Sequence, residues 1–314
     1  MRIHRQLPIR IGTRGSELAL AQAHETRNRL LHAHPVLTAA DIDIQVIRTT
    51  GDKVQNRPLS EIGGKGLFTK EIEDALLAGT LDLAVHSMKD MPTEFPAGLG
   101  IVCLLEREHP GDAFISPKAA TIDALPQGAV VGSSSLRRQA ILLRERPDLK
   151  VVMYRGNVGT RLAKLAAGEV DATLLAAAGL HRLELQSHIT SIVPYSQMLP
   201  AVAQGAIGIE IALADTEMAE LLAPLNHRET EIRVSAERAF LAALDGSCKT
   251  PIAALAELND DGQVLFRGQI IRPDGSETLE AVRTGAPEMA AMLGRDAGEE
   301  LRRKGGKAFF DAAI

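Results

Sequence analysis

The chain has 314 residues, 45% hydrophobic and 24% charged, proportions of a globular protein too long for a single core. A formal net charge of −5, with 7 Phe, 2 Tyr and no Trp, excludes a broad basic field or a base-stacking platform for nucleic acid. Two widely separated cysteines, Cys103 and Cys248, build no disulfide framework, and no apolar run reaches signal-peptide or membrane-span length; the expectation is a cytoplasmic protein.

Short β-branched runs alternate with helical patterns through the first two-thirds of the chain. "LPIRIGT" predicts a strand, and "SELALAQAHETRNRLL" a helix with Ser16 as its N-cap. His32 and His34, just past it, read as surface residues with no partner ligands for a metal. "DIDIQVIRT" predicts a strand and "LFTKEIEDALLAG" a helix, with Phe68, Ile72, Ala75 and Leu76 on one face and Gly79 at its stop. "LDLAVHS" predicts the next strand, so the polar stretch "HSMKDMP", His86 to Pro92, leaves a strand's C-terminal end. Cys103, inside "GIVCLLE", reads as an inert core thiol.

"AVVGSSSLRRQAILLRERP" repeats strand, small-residue turn and helix, closed by Pro147. "GEVDATLLA" then echoes "GTLDLAVHS", with Gly168 and Asp171 answering Gly79 and Asp82. After about Leu225 the pattern changes. A helix, "ETEIRVSAERAFLAAL", precedes strands "IAALAEL", "QVLFRGQII" and "TLEAVRT", separated by "NDDG" and "RPDG" turns, and a final helix is expected to end at "RRKGG". The fold class expected is α/β: two similar doubly wound α/β domains plus a small α+β third domain with an antiparallel sheet. Residues 1–105 with 201–226 form the first domain, 106–200 the second and 227–314 the third, with crossings near "EREHPGD" and "MLPAVAQGA".

Open α/β sheets bind ligands at the carboxyl ends of strands and at helix N-termini, where free N–H groups favour anions. Arg14 lies in the first strand–helix turn, and Arg137 and Arg138 open the helix after "GSSS". Arg155 and Arg161 bracket "RGNVGTR", Arg182 follows the strand "LLAAAG", and Lys65 and Lys89 add two cations. Any one of these alone reads as a solvated surface charge. Their repetition at similar positions points to a ligand with several carboxylates or phosphates. "IGGKGLF" is not a phosphate loop, because Leu59 stands where the first glycine is required and Gly66 where Ser or Thr is required. Asp90 is either a salt-bridge partner or, facing a substrate, a proton shuttle. Cys248, in "LDGSCKTPIA" beside Lys249, has the loop setting and neighbouring cation that reactive thiols need.

Seven stretches, "RIGTRGSELALAQA", "GGKGLFTKEIE", "AVHSMKDMP", "VGSSSLRRQ", "RGNVGTRL", "AQGAIGIE" and "GSCKTPIA", occur in the order found in the hydroxymethylbilane synthase (porphobilinogen deaminase) family. The chain resembles that family over nearly its whole length, less closely towards the C-terminus. The resemblance implies a cytosolic, monomeric transferase with two periplasmic-binding-protein-like lobes and a third domain. Such an enzyme condenses four porphobilinogens head to tail with loss of ammonia, then releases the linear tetrapyrrole by hydrolysis. It also implies a dipyrromethane cofactor held through a thioether on Cys248, with Asp90 as the catalytic carboxylate. Lys89, Ser133, Ser135, Arg137, Arg138, Arg155 and Gly156 match residues that hold the cofactor. Arg14, Ser16, Ser87, Arg155, Arg161, Arg182 and Gln204 match residues around the substrate, and Lys65 and Phe68 match the edge of a loop over the cleft. No metal, nucleic-acid partner or membrane is implied. Ser247 and Lys249–Thr250 stand where Gly and Gln–Val are frequent in the family, and Glu61 where a lysine can occur. The competing reading, a two-lobed solute receptor, explains the arginines but neither the third domain nor Cys248.

Overall fold

The computed structural model describes residues 5–53, 69–244 and 250–311; Lys65, Phe68 and Cys248 lie outside them. The chain divides into two compact units, Met1–Arg107 with Ala206–Glu231, and Glu108–Gly205 with Ile232–Ile314.

The first unit begins with β1 (Ile9–Thr13), α1 (Glu17–Ala33), β2 (Ile42–Val46) and the short α2 (Thr50–Lys53). It continues through α3 (Lys70–Leu77), β3 (Leu83–Ser87) and β4 (Leu99–Leu104). β10 (Ile207–Ala212) and α7 (Thr216–Leu222) return to complete it, giving the strand order β2-β1-β3-β10-β4. β1 runs parallel to β2 and β3, whereas β10 is antiparallel to both its neighbours. Strand residues alternate between two faces. Ile9, Ile11, Val85 and Ile209 join Leu30 of α1 and Leu221 of α7 in one core, while Ala84 and Leu99 pack with Ile72 and Leu76 of α3 in another. Cys103 belongs to the first core and is 1% exposed; burial pushes its thiol pKa up to about 12, as an inert core thiol requires.

The second unit repeats the design with β5 (Asp112–Ile115), β6 (Val130–Gly132), α4 (Leu136–Glu145), β7 (Lys150–Val152) and α5 (Val158–Ala166). β8 (Ala172–Ala176), α6 (Ala177–Arg182) and β9 (Ser191–Ile192) follow, in the strand order β7-β6-β8-β5-β9. The sequence echo between the units has a physical basis. Gly79 and Gly168 both take positive φ, +66° and +78°, just beyond a helix. Asp82 then accepts the Arg10 N–H at 2.7 Å, and Asp171 accepts the Val130 N–H at 2.7 Å, so each carboxylate pins the start of a neighbouring parallel strand.

The remaining elements are α8 (Arg228–Ala243), β11 (Ile252–Leu258), β12 (Val264–Ile271), β13 (Thr278–Gly285) and α9 (Ala290–Asp311). The three strands form one antiparallel sheet, turned at Gly262 and Gly275 with φ of +72° and +77°. Within the second unit this sheet shares packing with the strands before it. Ile271 lies in the same core as Phe114, Val131 and Leu174, and a Cβ on Gly275 would meet the Arg144 backbone nitrogen at 2.5 Å. Glu237 of α8, fully buried, accepts the N–H groups of Ala203 at 2.6 Å and Ala256 at 2.9 Å.

Three sequence expectations need correction. The last helix runs past "RRKGG" to Asp311, across a break at Gly306 with φ +58°. "LLAAAG" is not all strand: β8 stops at Ala176, and Arg182 sits in the last turn of α6. His34 is buried, not a surface residue, with its Nε2 2.7 Å from the Leu221 carbonyl. Among the described residues, no helix is long and apolar enough to cross a membrane, and no group of three His, Cys, Asp or Glu could hold a metal.

Candidate active site

The "HSMKDMP" stretch leaves β3 as a single turn of tight helix, Met88–Asp90. Its alternation of burial explains its composition. Met88 and Met91 are 2% and 4% exposed, while Lys89 and Asp90 between them face solvent. The Met88 N–H donates to the Ala206 carbonyl at 3.0 Å, and the Met91 N–H donates to Met88 at 3.3 Å. Two thioethers and two backbone hydrogen bonds therefore hold the turn that presents the carboxylate.

Asp90 lines a depression with Arg14, Ser16, Gln22, His86 and Ser87. Arg14 and Ser16 come from the β1–α1 turn, where the Ser16 hydroxyl accepts the Ala19 N–H at 3.2 Å and so caps α1. Gln22, one turn further along α1 and buried, lies 2.8 Å from the Ser87 hydroxyl through its amide nitrogen. Sequence reasoning missed Gln22; it shares the buried face of α1 with Ala23, Thr26 and Leu30. Lys89 is exposed beside this depression without lining it.

In the second unit, Arg137 and Arg138 open α4. Ser135 caps that helix through the Arg138 N–H, and the Ser133 hydroxyl accepts the Ser135 N–H at 3.2 Å. Arg137 and Arg138 turn inward onto Asp112, which is wholly buried. Arg137 bonds both Asp112 oxygens, at 2.7 and 3.1 Å, and Arg138 bonds Oδ1 through Nε at 3.0 Å and Nη2 at 2.6 Å. The Leu199 and Leu174 carbonyls accept one further bond from each guanidinium. Gln204 also reaches Asp112 Oδ1, at 3.1 Å, and gives its shorter bond, 2.7 Å, to the Pro110 carbonyl.

Burial pushes the Asp112 carboxyl up, but the charges of Arg137 and Arg138 overcome it and hold the group well below the usual carboxylate range. Two guanidiniums on one carboxylate leave a net positive charge inside the protein, and Arg137 Nε is buried without a partner. Asp112 was missed from sequence; a carboxylate heading the buried strand "DAFI" is the visible anomaly.

Arg155, Gly156 and Arg161 follow β7. Gly156 takes φ +129°, and its carbonyl accepts from Arg161 Nε at 2.9 Å. Burial first, then the neighbouring Arg138 charge, lowers the Arg161 pKa, as expected where cations outnumber anions. Arg182 stands apart from these contacts, with its Nη2 3.0 Å from the Gly205 carbonyl.

Comparison with known proteins bears on the whole length. Residues 9–220 match the family model described as porphobilinogen deaminase, dipyromethane cofactor binding domain, and residues 231–303 match the porphobilinogen deaminase C-terminal domain. A porphobilinogen deaminase of Paracoccus denitrificans is 60% identical over 98% of this chain and 97% of its own length. A chloroplastic porphobilinogen deaminase of Oryza sativa is 54% identical over 97% and 86% of the two chains. Among solved structures, a periplasmic substrate-binding protein of an ABC transporter from Coxiella burnetii aligns at 14% identity with a TM-score of 0.43, covering 69% of this chain and 91% of that one.

Proposed function

Because this chain belongs to the porphobilinogen deaminase family, its reaction is the head-to-tail condensation of four porphobilinogens with loss of ammonia, and we propose that Asp90 is the carboxylate that carries each condensation. The product is the linear tetrapyrrole hydroxymethylbilane, freed by hydrolysis. The observation that supports the role of Asp90 is its exposure on a turn fixed by the buried Met88 and Met91, in a depression shared with Arg14 and Ser16.

The dipyrromethane cofactor supplies the primer on which the chain is built. It carries acetate and propionate groups, and the second unit fits such a ligand. Net positive charge is buried at Arg137 and Arg138, an unpartnered Arg137 Nε lies among them, and Arg155 and Arg161 stand nearby. In this reading Ser133, Ser135, Arg137, Arg138, Arg155 and Gly156 hold cofactor carboxylates, with Lys89 of the first unit. The charge-assisted bonds Arg137 and Arg138 already make to Asp112 pre-orient both guanidiniums.

Arg14, Ser16, Ser87, Arg161, Arg182 and Gln204 serve the substrate, whose two carboxylates make cationic and hydroxyl donors the appropriate partners. Gln22 fixes the Ser87 hydroxyl in place. Asp90 has two tasks: to hand a proton to the departing amine, and, ionised again, to lie against the electron-poor pyrrole that remains. Cys248 is assigned the thioether to the cofactor, and Lys65 and Phe68 the loop above the substrate. A cytoplasmic, monomeric enzyme belongs to the same reading, supported for location by a chain with only two cysteines.

An intact-mass spectrum of purified protein tests the assignment. It should show the polypeptide plus one dipyrromethane, and the Cys248→Ala variant should show the bare polypeptide mass. An adduct that persists in that variant would remove Cys248 from the reading.

A further inference from the structure

Beneath the depression that holds Asp90 lies a cluster of titratable side chains with no part in the chemistry above. His86 pairs across the sheet with Gly208, and Glu210 with Ala84, so His86 reaches diagonally to Glu210, Nε2 to Oε2 at 2.9 Å. Glu210 is 0% exposed, and its Oε1 has no hydrogen-bond partner. Glu73, on the inner face of α3 and 7% exposed, likewise has an unpartnered Oε1. Burial is the largest influence on the Glu73 carboxyl and raises its pKa; a hydrogen bond from the Thr69 side chain opposes this, the Glu210 charge adds to it, His86 opposes it and Asp74, next along α3, adds to it.

α3 packs on β3, β4 and β10. From β3 and β10 the titratable groups are His86 and Glu210. β4, "LGIVCL", offers only Cys103, which belongs to the core on the opposite face of the sheet. The charged groups lining the adjoining depression are Arg14 and Asp90.

Two ionised carboxylates here would leave two bare acceptors and an uncompensated repulsion. A single proton answers both, because a neutral carboxyl donates as well as accepts, and like charges sharing a buried site retain one. We propose that Glu73 is a protonated carboxylic acid donating to Glu210 Oε1, and that the resulting chain Glu73–Glu210–His86 positions Asp90 by fixing the end of β3 from which its turn departs. His86 is the last residue of that chain and lies one residue before the Ser87 from which Met88–Asp90 turns. The three are positioning residues that act through the strand end.

The sign of the pH effect follows from the raised value. Glu73 keeps its proton in the folded protein above the pH at which the unfolded chain releases it, about 4.3, so stability falls as pH rises from there to the folded value. Above the folded value the ionised Glu73 repels Glu210 and the strand end loosens.

The role for Asp90 rests on the proposed function, whereas the proton can be read without it. Infrared spectra of the wild-type holoenzyme, at pH values just above those at which exposed carboxylates have ionised, should contain the carbonyl stretch of a buried protonated carboxylic acid, absent in Glu73→Gln. On titration upward, the wild-type band should vanish over the same pH range in which kcat declines, with KM unchanged. Glu73→Gln, whose amide still donates to Glu210 Oε1, should match wild-type kcat below the pH at which the band vanishes and should lack the decline that accompanies its loss. Absence of the band in wild type, its persistence in Glu73→Gln, or the same decline of kcat in both proteins would overturn the proposal. Because the wild-type titration needs no variant, it decides the matter even if the substitution impairs folding. A band that behaves as stated in an enzyme shown not to use Asp90 would instead fault the proposed function.

Discussion

Met88 fills the space that a side chain on Gly208 would need: a Cβ there would lie 2.1 Å from the Met88 sulfur. Gly208→Ala should therefore displace Met88 and, with it, the turn that presents Asp90. The expected result is a stability loss of about 1–3 kcal/mol and a larger proportional loss of turnover. Shortening the methionine in Gly208→Ala/Met88→Ala should recover part of the stability but not the turnover. Thermal unfolding and steady-state kinetics on the four proteins of this cycle check it.

Asp90→Asn removes the ionisable group and keeps its shape. Since Asp90 is exposed, stability should change by no more than about 0.5 kcal/mol. Turnover should fall by about 10²–10⁴-fold, with the cofactor still attached by mass. Near-wild-type turnover in this variant would remove Asp90 from the mechanism.

Asp112→Asn leaves two buried guanidiniums without their counterion, at a cost of about 3–5 kcal/mol. The acid limb of stability carries the same information. Asp112 has a depressed folded pKa, so its contribution is fully present above the unfolded value of about 3.9 and is lost as pH falls through the folded value. In wild type, Asp112 should stay ionised at pH values where exposed carboxylates have already protonated, and Asp112→Asn should lack this part of the acid dependence. Equilibrium unfolding against pH measures both.

Arg14 separates binding from folding more cleanly than Arg137 or Arg138, which are tied to Asp112. Arg14→Leu should weaken substrate binding by about 1.5–3 kcal/mol for a lost charge-assisted bond, roughly ten- to a hundredfold in affinity. Arg302→Leu, on the exposed face of α9, should be silent within about 0.5 kcal/mol. Equal effects at the two sites would show that the assignment of Arg14 is wrong.

The thiols give a chemical test. With its pKa pushed up to about 12 and its side chain buried, Cys103 should not react with a thiol reagent in native protein at neutral pH. Holoenzyme should thus show no fast-reacting thiol, and protein lacking the cofactor should show one, at Cys248. Peptide mapping after alkylation identifies which residue reacted.

Local signals in the sequence placed Asp90 at the end of a strand and marked the repeated strand–helix units. The apolar run that leads into "HSMKDMP", the serine before α1 and the glycine at a helix stop act over a few residues and are visible without coordinates. Long-range polar pairing was not legible. Asp112 meets the adjacent Arg137 and Arg138 and the more distant Gln204, and periodicity carries no information about which distant guanidinium a carboxylate will find. His34 escaped for the same reason, since its partner is the backbone of Leu221. The α6 boundary was hidden because no side chain caps that helix: Ala176 precedes it, and an alanine run marks neither the end of a strand nor the start of a helix.

The position of β10 between β3 and β4 governs the order in which this protein can be made. On the ribosome, residues 1–107 emerge about a hundred residues before the strand that joins β4 to the rest of its sheet. Until then β3 carries an unpaired edge and β4 has no strand partner, the surfaces on which nascent chains associate wrongly. The following segment, 108–205, emerges equally incomplete, lacking Ile271 from its core. Synthesis should therefore run through a long interval in which neither unit is finished. Nascent-chain protease protection should rise late and abruptly for residues 1–107, once β10 has cleared the exit tunnel.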